Sequence, residues 1–446
     1  MNITLVHPPS ASVYQKFQRA LIKRLPLGLA YVAGYLERNG HRVSVVDAEA
    51  LDLDISNTVS MILVSNPEVV GITATTPIIH TSIGVLEEIR KKAPEIRTII
   101  GGPHASALPK DTLLNNPDCL DFVVFGEGEL SCLEIIRQLE AGHRPVSPIP
   151  GVVFRDSSGQ AVMGPPRLLE KNLDSFDFPA RHLFPMDRYV DRTKYHNELY
   201  TMLTTSRGCP SLCTFCGSQA TWGRTTRFRS PESVITEIRK CSEEHRIKNF
   251  VFCDDTFTLR KDQTIDICRG ITELPFRVNI FCSSRVDSLT ADRLEWLKKA
   301  GVYCLTFGIE SGNNEILKLM RKGITVDQVR KAVALTKNFG IEVHGSFIIG
   351  NLGDTEETIE QTISLAIELD LDQVQFSILV PLPGTECFKK AEEMNAFRCH
   401  TGNFESFYWY YSVAANMTKV PDERMLELQK SAYERWQASK KVSEKA

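Results

Sequence analysis

The sequence predicts two α/β units in tandem: a doubly wound sheet, then a partial (β/α)6 barrel of TIM type that ends in a helical tail. Three observations carry this expectation. Short apolar runs alternate with segments of helical period over residues 1–140. A proline-rich stretch interrupts the alternation, which resumes from Tyr200 to about Ala391. At about 150 residues per domain, 446 residues leave room for two or three domains.

Composition narrows the function classes. Hydrophobic residues at 42% and charged residues at 24% are ordinary globular proportions, which sets aside disorder and fibre. With 52 basic and 55 acidic residues the formal charge is −3, so there is no general pull towards nucleic acid or an anionic membrane. No run of about 18 apolar residues occurs, so no integral membrane segment is expected. Met1 to His7 lacks a basic region followed by an apolar stretch, so no secretory signal is expected either. A reducing cytoplasm is the expected setting.

The elements follow in order. Ile3-Thr4-Leu5-Val6 reads as a strand stopped by His7-Pro8-Pro9, since proline cannot continue regular pairing. Leu27 to Leu36 carries apolar residues at helical spacing and ends at Arg38-Asn39-Gly40. Val43 to Val46, Pro67 to Thr73, Thr98 to Ile100 and Asp121 to Phe125 are further strands, with helices at Ile79 to Lys92 and up to Leu139. Five such runs separated by helices imply a mostly parallel sheet covered on both faces, whose ligands bind at the carboxyl ends of the strands. Seven prolines between Pro145 and Pro185 mark a boundary, within which 151–163 reads as a β-hairpin. Strands are then expected at Tyr200–Thr204, Asn249–Cys253, Arg277–Cys282, Val302–Gly308, Glu342–Ile349 and Gln373–Leu379, too few for a complete eightfold barrel. The tail from Pro421 to Lys441 has helical pattern, with Met425, Leu426, Leu428, Ala432 and Trp436 as its apolar stripe.

Twelve cysteines are the compositional anomaly. Nine are scattered among apolar neighbours and read as small buried hydrophobes. The other three, Cys209, Cys213 and Cys216, share one loop in CxxxCxxC spacing, with Gly208 and Pro210 bending the chain. Three soft ligands suit zinc or an iron–sulfur cluster. A structural zinc site asks for a fourth Cys or His close by, and none follows until Cys241 and His245.

Cys209, Cys213, Phe215 and Cys216 resemble the CxxxCΦxC signature of radical S-adenosylmethionine enzymes. Phe252 to Phe257, Ser283 to Asp287, Phe307 to Gly312, Gly345 to Gly350 and Val380 to Thr385 resemble that superfamily's strand ends, in order. The resemblance implies a 4Fe–4S cluster on Cys209, Cys213 and Cys216, with S-adenosylmethionine at its fourth iron and a 5′-deoxyadenosyl radical as product of one-electron reduction. It places Phe215 and Gly217 near the adenine, and Asp254 and Asp255 near the methionine amino group. Ser283, Arg285 and Glu310 would line the ribose and the methionine carboxylate. The plainer reading of Asp254 to Thr256 is a helix cap after its strand. The cluster also implies an electron donor such as flavodoxin or ferredoxin.

The first 140 residues resemble the Rossmann-like cobalamin-binding domain that precedes the radical core in one branch of the superfamily. Pro26 to Tyr31, Gly71-Ile72-Thr73, Gly101-Gly102-Pro103-His104 and Gly126 to Glu129 carry the match. It implies cobalamin against Gly71, Gly101, Gly102, His104 and Gly126, although Pro103 gives His104 a packing reading as well. The DxHxxG motif, which supplies a cobalt-ligating histidine, is absent from all ten histidines. Any bound cobalamin is therefore expected to lack a protein histidine on cobalt. The aromatic run from Phe404 to Tyr411, with Trp409, reads as packing between tail and barrel or as a wall for substrate or corrin.

The expected organisation is a cobalamin-binding-like domain over 1–140, a connector with hairpin over 141–195, the radical core over 196–391 and an aromatic, helical region over 392–446. The leading functional expectation is cobalamin-dependent methylation of an unactivated carbon in a small-molecule substrate. The alternative keeps the radical without methyl transfer: dehydration, cyclisation or rearrangement. A transfer-RNA methylthiotransferase would bring a different first domain with three further cluster cysteines, where residues 1–140 hold Cys119 and Cys132. A cobalamin sensor or carrier leaves the cysteine triplet unexplained.

Overall fold

In the computed structural model the first sheet has the strand order β2-β1-β3-β4-β5-β6-β7, which reverses at β1 and β3 as doubly wound sheets do. Its strands are β1 (Asn2–His7), β2 (Arg42–Asp47), β3 (Val69–Thr73), β4 (Arg97–Gly101), β5 (Phe122–Val124), β6 (Val152–Arg155) and β7 (Ala161–Met163). The structure describes residues 1–10, 23–142, 147–191, 198–398, 404, 406–408 and 412–443, without the side chains of 442 and 443. Two units emerge: residues 1–202 with 217–223, and residues 203–216 with 224–446.

In the first unit β1 to β5 are parallel, and the hairpin expected at 151–163 becomes β6 and β7, antiparallel additions to the β5 edge. Helices Leu27–Arg38, Ile55–Val64, Ile79–Lys92 and Gly128–Glu140 supply the alternation read from sequence. Ile3, Leu5, Val32, Leu36, Ile99 and Phe122 meet in one buried core. Gly34 has a specific reason: a Cβ there would stand 2.7 Å from the Phe178 carbonyl oxygen. The first helix can therefore lie against the segment after the hairpin, where the Ala180 amide donates to the Ala30 carbonyl at 2.9 Å.

The carboxyl ends of β1 and β2 are joined by a buried polar cluster. The Asp47 carboxylate, wholly buried, pairs with His7 Nδ1 at 3.0 Å and accepts from the Tyr189 hydroxyl at 2.6 Å and the Ala50 amide at 2.9 Å. Burial works against charge on His7, yet the Asp47 bond and charge outweigh it and raise its pKa. On Asp47 burial is likewise outweighed, by His7, Tyr189 and the Ala50 amide, and the carboxyl is held below its ordinary range.

In the second unit, β12 (Asn249–Phe252), β13 (Asn279–Ser284), β14 (Val302–Glu310), β15 (Glu342–Ile349) and β16 (Gln373–Ile378) follow in chain order, each parallel to the next. Before them in this unit come β10 (Ser206–Arg207) and β11 (Arg227–Phe228), while β8 (Val190–Asp191) and all of β9 (Glu198–Leu203) except Leu203 fall in the first. Leu203, which ends β9, accepts from the Cys253 amide at 2.8 Å, so the six expected barrel strands are present. Capping boxes at Thr325 with Gln328 and at Thr355 with Thr358 start two of the covering helices. On β15 alternate residues are buried, and Phe347 stacks on Phe376 with ring centroids 5.2 Å apart.

The tail helix Asp422–Ser443 buries Met425, Leu428 and Ala432 as expected, whereas Leu426 and Trp436 are half-buried. Gln429 takes a buried place instead, because its side-chain amide donates to the Phe376 carbonyl at 2.8 Å. Phe404 and Phe407 are buried and join Phe397, in keeping with the packing reading; Trp409 lies outside the described residues. Among the described residues no helix is long and apolar enough to cross a membrane.

Removing the Asp47 carboxylate should be costly. Asp47→Ala is expected to lower stability by about 3 kcal/mol, the scale of a buried pair broken from one side. The pH dependence has a definite sign. A raised His7 pKa stabilises fully below the unfolded value of 6.5 and fades as pH rises through the folded value. A lowered Asp47 pKa stabilises above its unfolded value of 3.8 and fades on acidification. Urea unfolding of the wild type against His7→Asn should thus show its widest gap between about pH 4 and 6.5, narrowing towards pH 8.

Candidate functional site

The cysteine loop leaves the second unit between two paired segments. Ser206 lies opposite Phe228 and Arg207 opposite Arg227 in the short antiparallel pair β10 and β11. Gly208 follows with φ +97°, and a Cβ there would stand 2.4 Å from the Thr225 carbonyl oxygen, so glycine alone fits both backbone and space. Further along, the Thr214 amide donates to the Met320 carbonyl and the Thr214 carbonyl accepts from the Cys387 amide, each at 3.0 Å. The loop is thus fastened at its base and at its middle.

Cys209, Cys213 and Cys216 are in no disulfide and all are half-buried. Burial pushes the Cys213 thiol up, and Glu310 and Cys209 push the same way, while Lys322 and Arg285 pull it down. Among the described residues no three His, Cys, Asp or Glu side chains are grouped so as to hold a single metal ion. A cubane cluster makes a different demand, because its thiolates go to separate irons. Three soft donors on one fastened loop, with two cations close by to offset thiolate charge, fit that group.

The two acids expected near the methionine amino group separate clearly. Asp254 is 3% exposed, and its carboxylate accepts from the Thr205 amide at 3.1 Å, from the Thr205 hydroxyl at 2.7 Å and from the Ser206 hydroxyl. It holds the turn that precedes the cysteine loop, and it is not a helix cap, since the next helix starts after Arg260. Asp255 is exposed. Ser283, on β13, is half-buried, and its carbonyl accepts from the Phe257 amide at 3.0 Å.

Arg285 is also committed. Its guanidinium forks onto Asp287 at 2.9 and 2.8 Å and reaches the Ser211 hydroxyl at 3.2 Å and the Lys322 carbonyl at 3.1 Å. Glu310 ends β14 at φ +69°, a left-handed backbone uncommon outside glycine, beside a shift of register between Gly308 and Glu310. Its Oε1 takes Lys322 Nζ at 2.6 Å, and the pair is about nine-tenths buried, with 9% and 11% of the side chains exposed. That ammonium stands 5.9 Å from the centroid of the Phe215 ring. Sequence reading missed Lys322, which lies in a turn twelve residues beyond Glu310 with no motif to mark it. Gly217 precedes the short helix Ser218–Trp222 with ordinary right-handed backbone.

In the first unit the glycines divide by cause. Gly71 is buried within β3, and a Cβ there would stand 2.8 Å from Leu5 Cδ2. It leaves room for the packing of the sheet. Gly101 ends β4 with only ordinary contacts for an added Cβ. Gly102 adopts φ +95° where a Cβ would meet Thr73 Oγ1 at 2.6 Å, so it turns the chain into the helix Pro103–Ala107. His104 is 3% exposed, its Nδ1 is 3.3 Å from the Thr76 hydroxyl, and burial pushes its pKa down to about 4. It packs beneath the loop, in line with the second of its two readings. Gly126, at φ +77°, donates its amide to Ser106 Oγ at 3.0 Å and borders a cavity of about 280 Å³ with Phe125, Glu129, Arg167 and Phe176.

Asp254→Ala and Asp255→Ala should behave differently. The first removes the acceptor of three buried donors, so it should cost about 2–3 kcal/mol and lower the iron retained after reconstitution. The second should leave stability within about 0.5 kcal/mol, as exposed substitutions do. Guanidinium unfolding and iron analysis of both variants check this; equal losses would overturn the distinction.

The Radical SAM superfamily model matches residues 203–366, and the B12-binding domain model matches residues 24–136. The chain is 38% identical over 397 residues to an uncharacterized methyltransferase of Pyrococcus horikoshii, covering 88% of this chain and 83% of that protein. It is 27% identical over 385 residues to the anaerobic magnesium-protoporphyrin IX monomethyl ester cyclase of Rubrivivax gelatinosus, covering 85% and 68%. In fold it is similar to the radical S-adenosylmethionine methyltransferase TsrM of Kitasatospora setae, solved with cobalamin and a [4Fe-4S] cluster, with TM-score 0.71, 20% identity, and coverage of 90% and 79%. The chain belongs to the radical S-adenosylmethionine superfamily, as a member that carries a B12-binding domain ahead of the radical core.

Proposed function

We propose that this enzyme methylates an unactivated carbon of a small-molecule substrate. The observation that carries the reading is the fastened three-cysteine loop, with a buried acid and lysine beside it, in a chain that also holds a B12-binding domain. When bound, the cluster and S-adenosylmethionine supply a 5′-deoxyadenosyl radical and cobalamin supplies the methyl group. Cys209, Cys213 and Cys216 would hold the cluster, and Phe215 would offer an apolar face to the adenine. Asp255, exposed where Asp254 is not, is the acid left to accept from the methionine amino group. Burial of Glu310 and Lys322 keeps water from competing for their partners. The loops at Gly101, Gly102 and Gly126 end strands on the side where a doubly wound sheet takes its ligand.

The reading includes a small electron donor of the flavodoxin or ferredoxin kind and a cytoplasmic setting. The second reading, radical cyclisation without methyl transfer, has support in the cyclase relative at 27% identity. Co-products separate the two. Anaerobic turnover of the reconstituted enzyme should form both S-adenosylhomocysteine and 5′-deoxyadenosine, and the triple Cys→Ala variant at 209, 213 and 216 should be colourless and form no 5′-deoxyadenosine. 5′-Deoxyadenosine without S-adenosylhomocysteine would decide for the second reading.

Cobalt should carry no protein histidine. His7 is engaged by Asp47, and His104 is buried beneath its loop. In enzyme labelled with ¹⁵N-histidine, the paramagnetic resonance spectrum of bound cob(II)alamin should show no splitting that changes with the label. A label-dependent splitting would refute this assignment.

A further inference from the structure

We propose that Thr306 and His344 bind an uncharged hydroxyl or carbonyl group of the substrate, on a polar row that crosses the inner face of β13 to β16. The inference rests on the small-molecule reading above and adds the chemical class of the group recognised.

Strand pairing builds the row. Ser283 lies opposite Thr306, Thr306 opposite His344, and His344 opposite Gln373. Partners in a parallel pair project from the same face of the sheet, so these polar side chains cross the strands at one level. That face is turned away from the covering helices. On β15 the alternate residues Val343, Phe347 and Ile349 are buried, and Phe347 stacks on Phe376, whose ring meets Tyr433 of the tail helix edge-on at 5.3 Å. His344 and Ser346 face the other way and are half-buried. Gln375 and Ser377 of β16 share the inner face, joined by a hydrogen bond of 3.0 Å. Gly308, opposite Ser346 and one step above Thr306, stands against the Glu310 carboxylate, so the row lies beside residues expected to line S-adenosylmethionine.

Two members of the row are incomplete. Thr306 Oγ1 and His344 Nδ1 are removed from solvent, and neither has a hydrogen-bond partner among the described residues. Native interiors fill nearly all such positions, and an exception calls for a cause. The chemistry of the missing partner follows from the row itself. Burial pushes the His344 pKa down to about 4, so near pH 7 the imidazole is neutral and offers one donor and one acceptor nitrogen. The threonine hydroxyl gives and takes in the same way. Ser283, Thr306, neutral His344 and Gln373 supply no charge, so a carboxylate or ammonium set against them would lie unpaired, a cost that a hydroxyl or carbonyl group escapes. An apolar surface adjoins the row. The Phe281 ring, two residues before Ser283 on β13, has its centroid 6.3 Å from that of His344 and 6.3 Å from that of Tyr303. A hydroxyl or carbonyl on a carbon skeleton matches the row and the aromatic side together.

Thr306→Val removes the hydroxyl and keeps the shape, and His344→Phe removes both nitrogens and keeps a ring. Thermal unfolding of the reconstituted holoenzyme without added ligand should place Thr306→Val at or above the wild-type midpoint, by up to about 2 °C, because a methyl group replaces a hydroxyl that has no partner in the protein. A midpoint below wild type overturns the proposal. Binding of para-fluorobenzyl alcohol, para-fluorobenzoate and para-fluorobenzylammonium to the same preparations is followed by fluorine NMR. The alcohol should bind wild type at least about tenfold more tightly than either charged probe, about 1.4 kcal/mol, and each substitution should remove that preference. No binding of the alcohol, equal binding of the three probes, preference for a charged one, or a preference kept by either variant overturns the proposal. Should His344→Phe retain less iron, Thr306→Val decides by itself. Neither measurement involves turnover, so failure here is distinct from failure of the methylation reading, which the co-products decide.

Discussion

A carboxylate buried without a cationic partner among the described residues organises the second unit's candidate site. Asp254 sits at the end of β12, where burial raises its pKa and hydrogen bonds from Thr205 and Ser206 oppose that rise. Those bonds define the turn between β9 and β10. Arg229 reinforces it, with its amide donating to the Thr205 carbonyl, its guanidinium to the Thr204 carbonyl, and a buried ion pair to Glu237. Once this turn is fixed, β10 and β11 can pair, Gly208 can pass beneath Thr225, and the cysteine loop starts from a set position. A buried charge costs several kcal/mol unless its acceptor positions are filled, so this arrangement is nearly all-or-none. Asp254 fills this place, whereas Asp255 next to it is exposed.

Around the loop, charges are settled in pairs before any ligand arrives. Arg285 belongs to Asp287, Lys322 to Glu310, and Arg321 to Glu386 at 2.8 and 2.9 Å on the surface. The pairs differ in their surroundings. The exposed one is hydrated and contributes little. Arg285 makes four hydrogen bonds, two of them to Asp287, whereas the buried Lys322 ammonium bonds to Glu310 beside Phe215.

The glycines show why motif and mechanism need not coincide. Gly71, Gly102, Gly126 and Gly308 all fall in stretches that match family patterns, yet they answer to different neighbours. Gly71 makes room for Leu5, Gly102 and Gly126 take left-handed turns, and Gly308 clears the place of two charged side chains. A sequence shows that a side chain is missing; it does not show which atom would have occupied the space. His104 follows the same logic, since its chemistry suits a ligand and its burial beside Thr76 does not.

The sequence by itself determined the order and type of the elements, because strand and helix periods and proline breaks act over a few residues. It also singled out the cysteine triplet as the candidate chemical centre, because ligand spacing is a local property of one loop. The separation of Asp254 from Asp255, the commitment of Arg285, the packing role of Gly71 and the presence of Lys322 were decided by tertiary structure. Each depends on a partner far away in the chain: Thr205 lies 49 residues from Asp254, and the Lys322 carbonyl 37 residues from Arg285. Burial and charge pairing are set by which distant strands and turns come to lie together, and no local pattern carries that information.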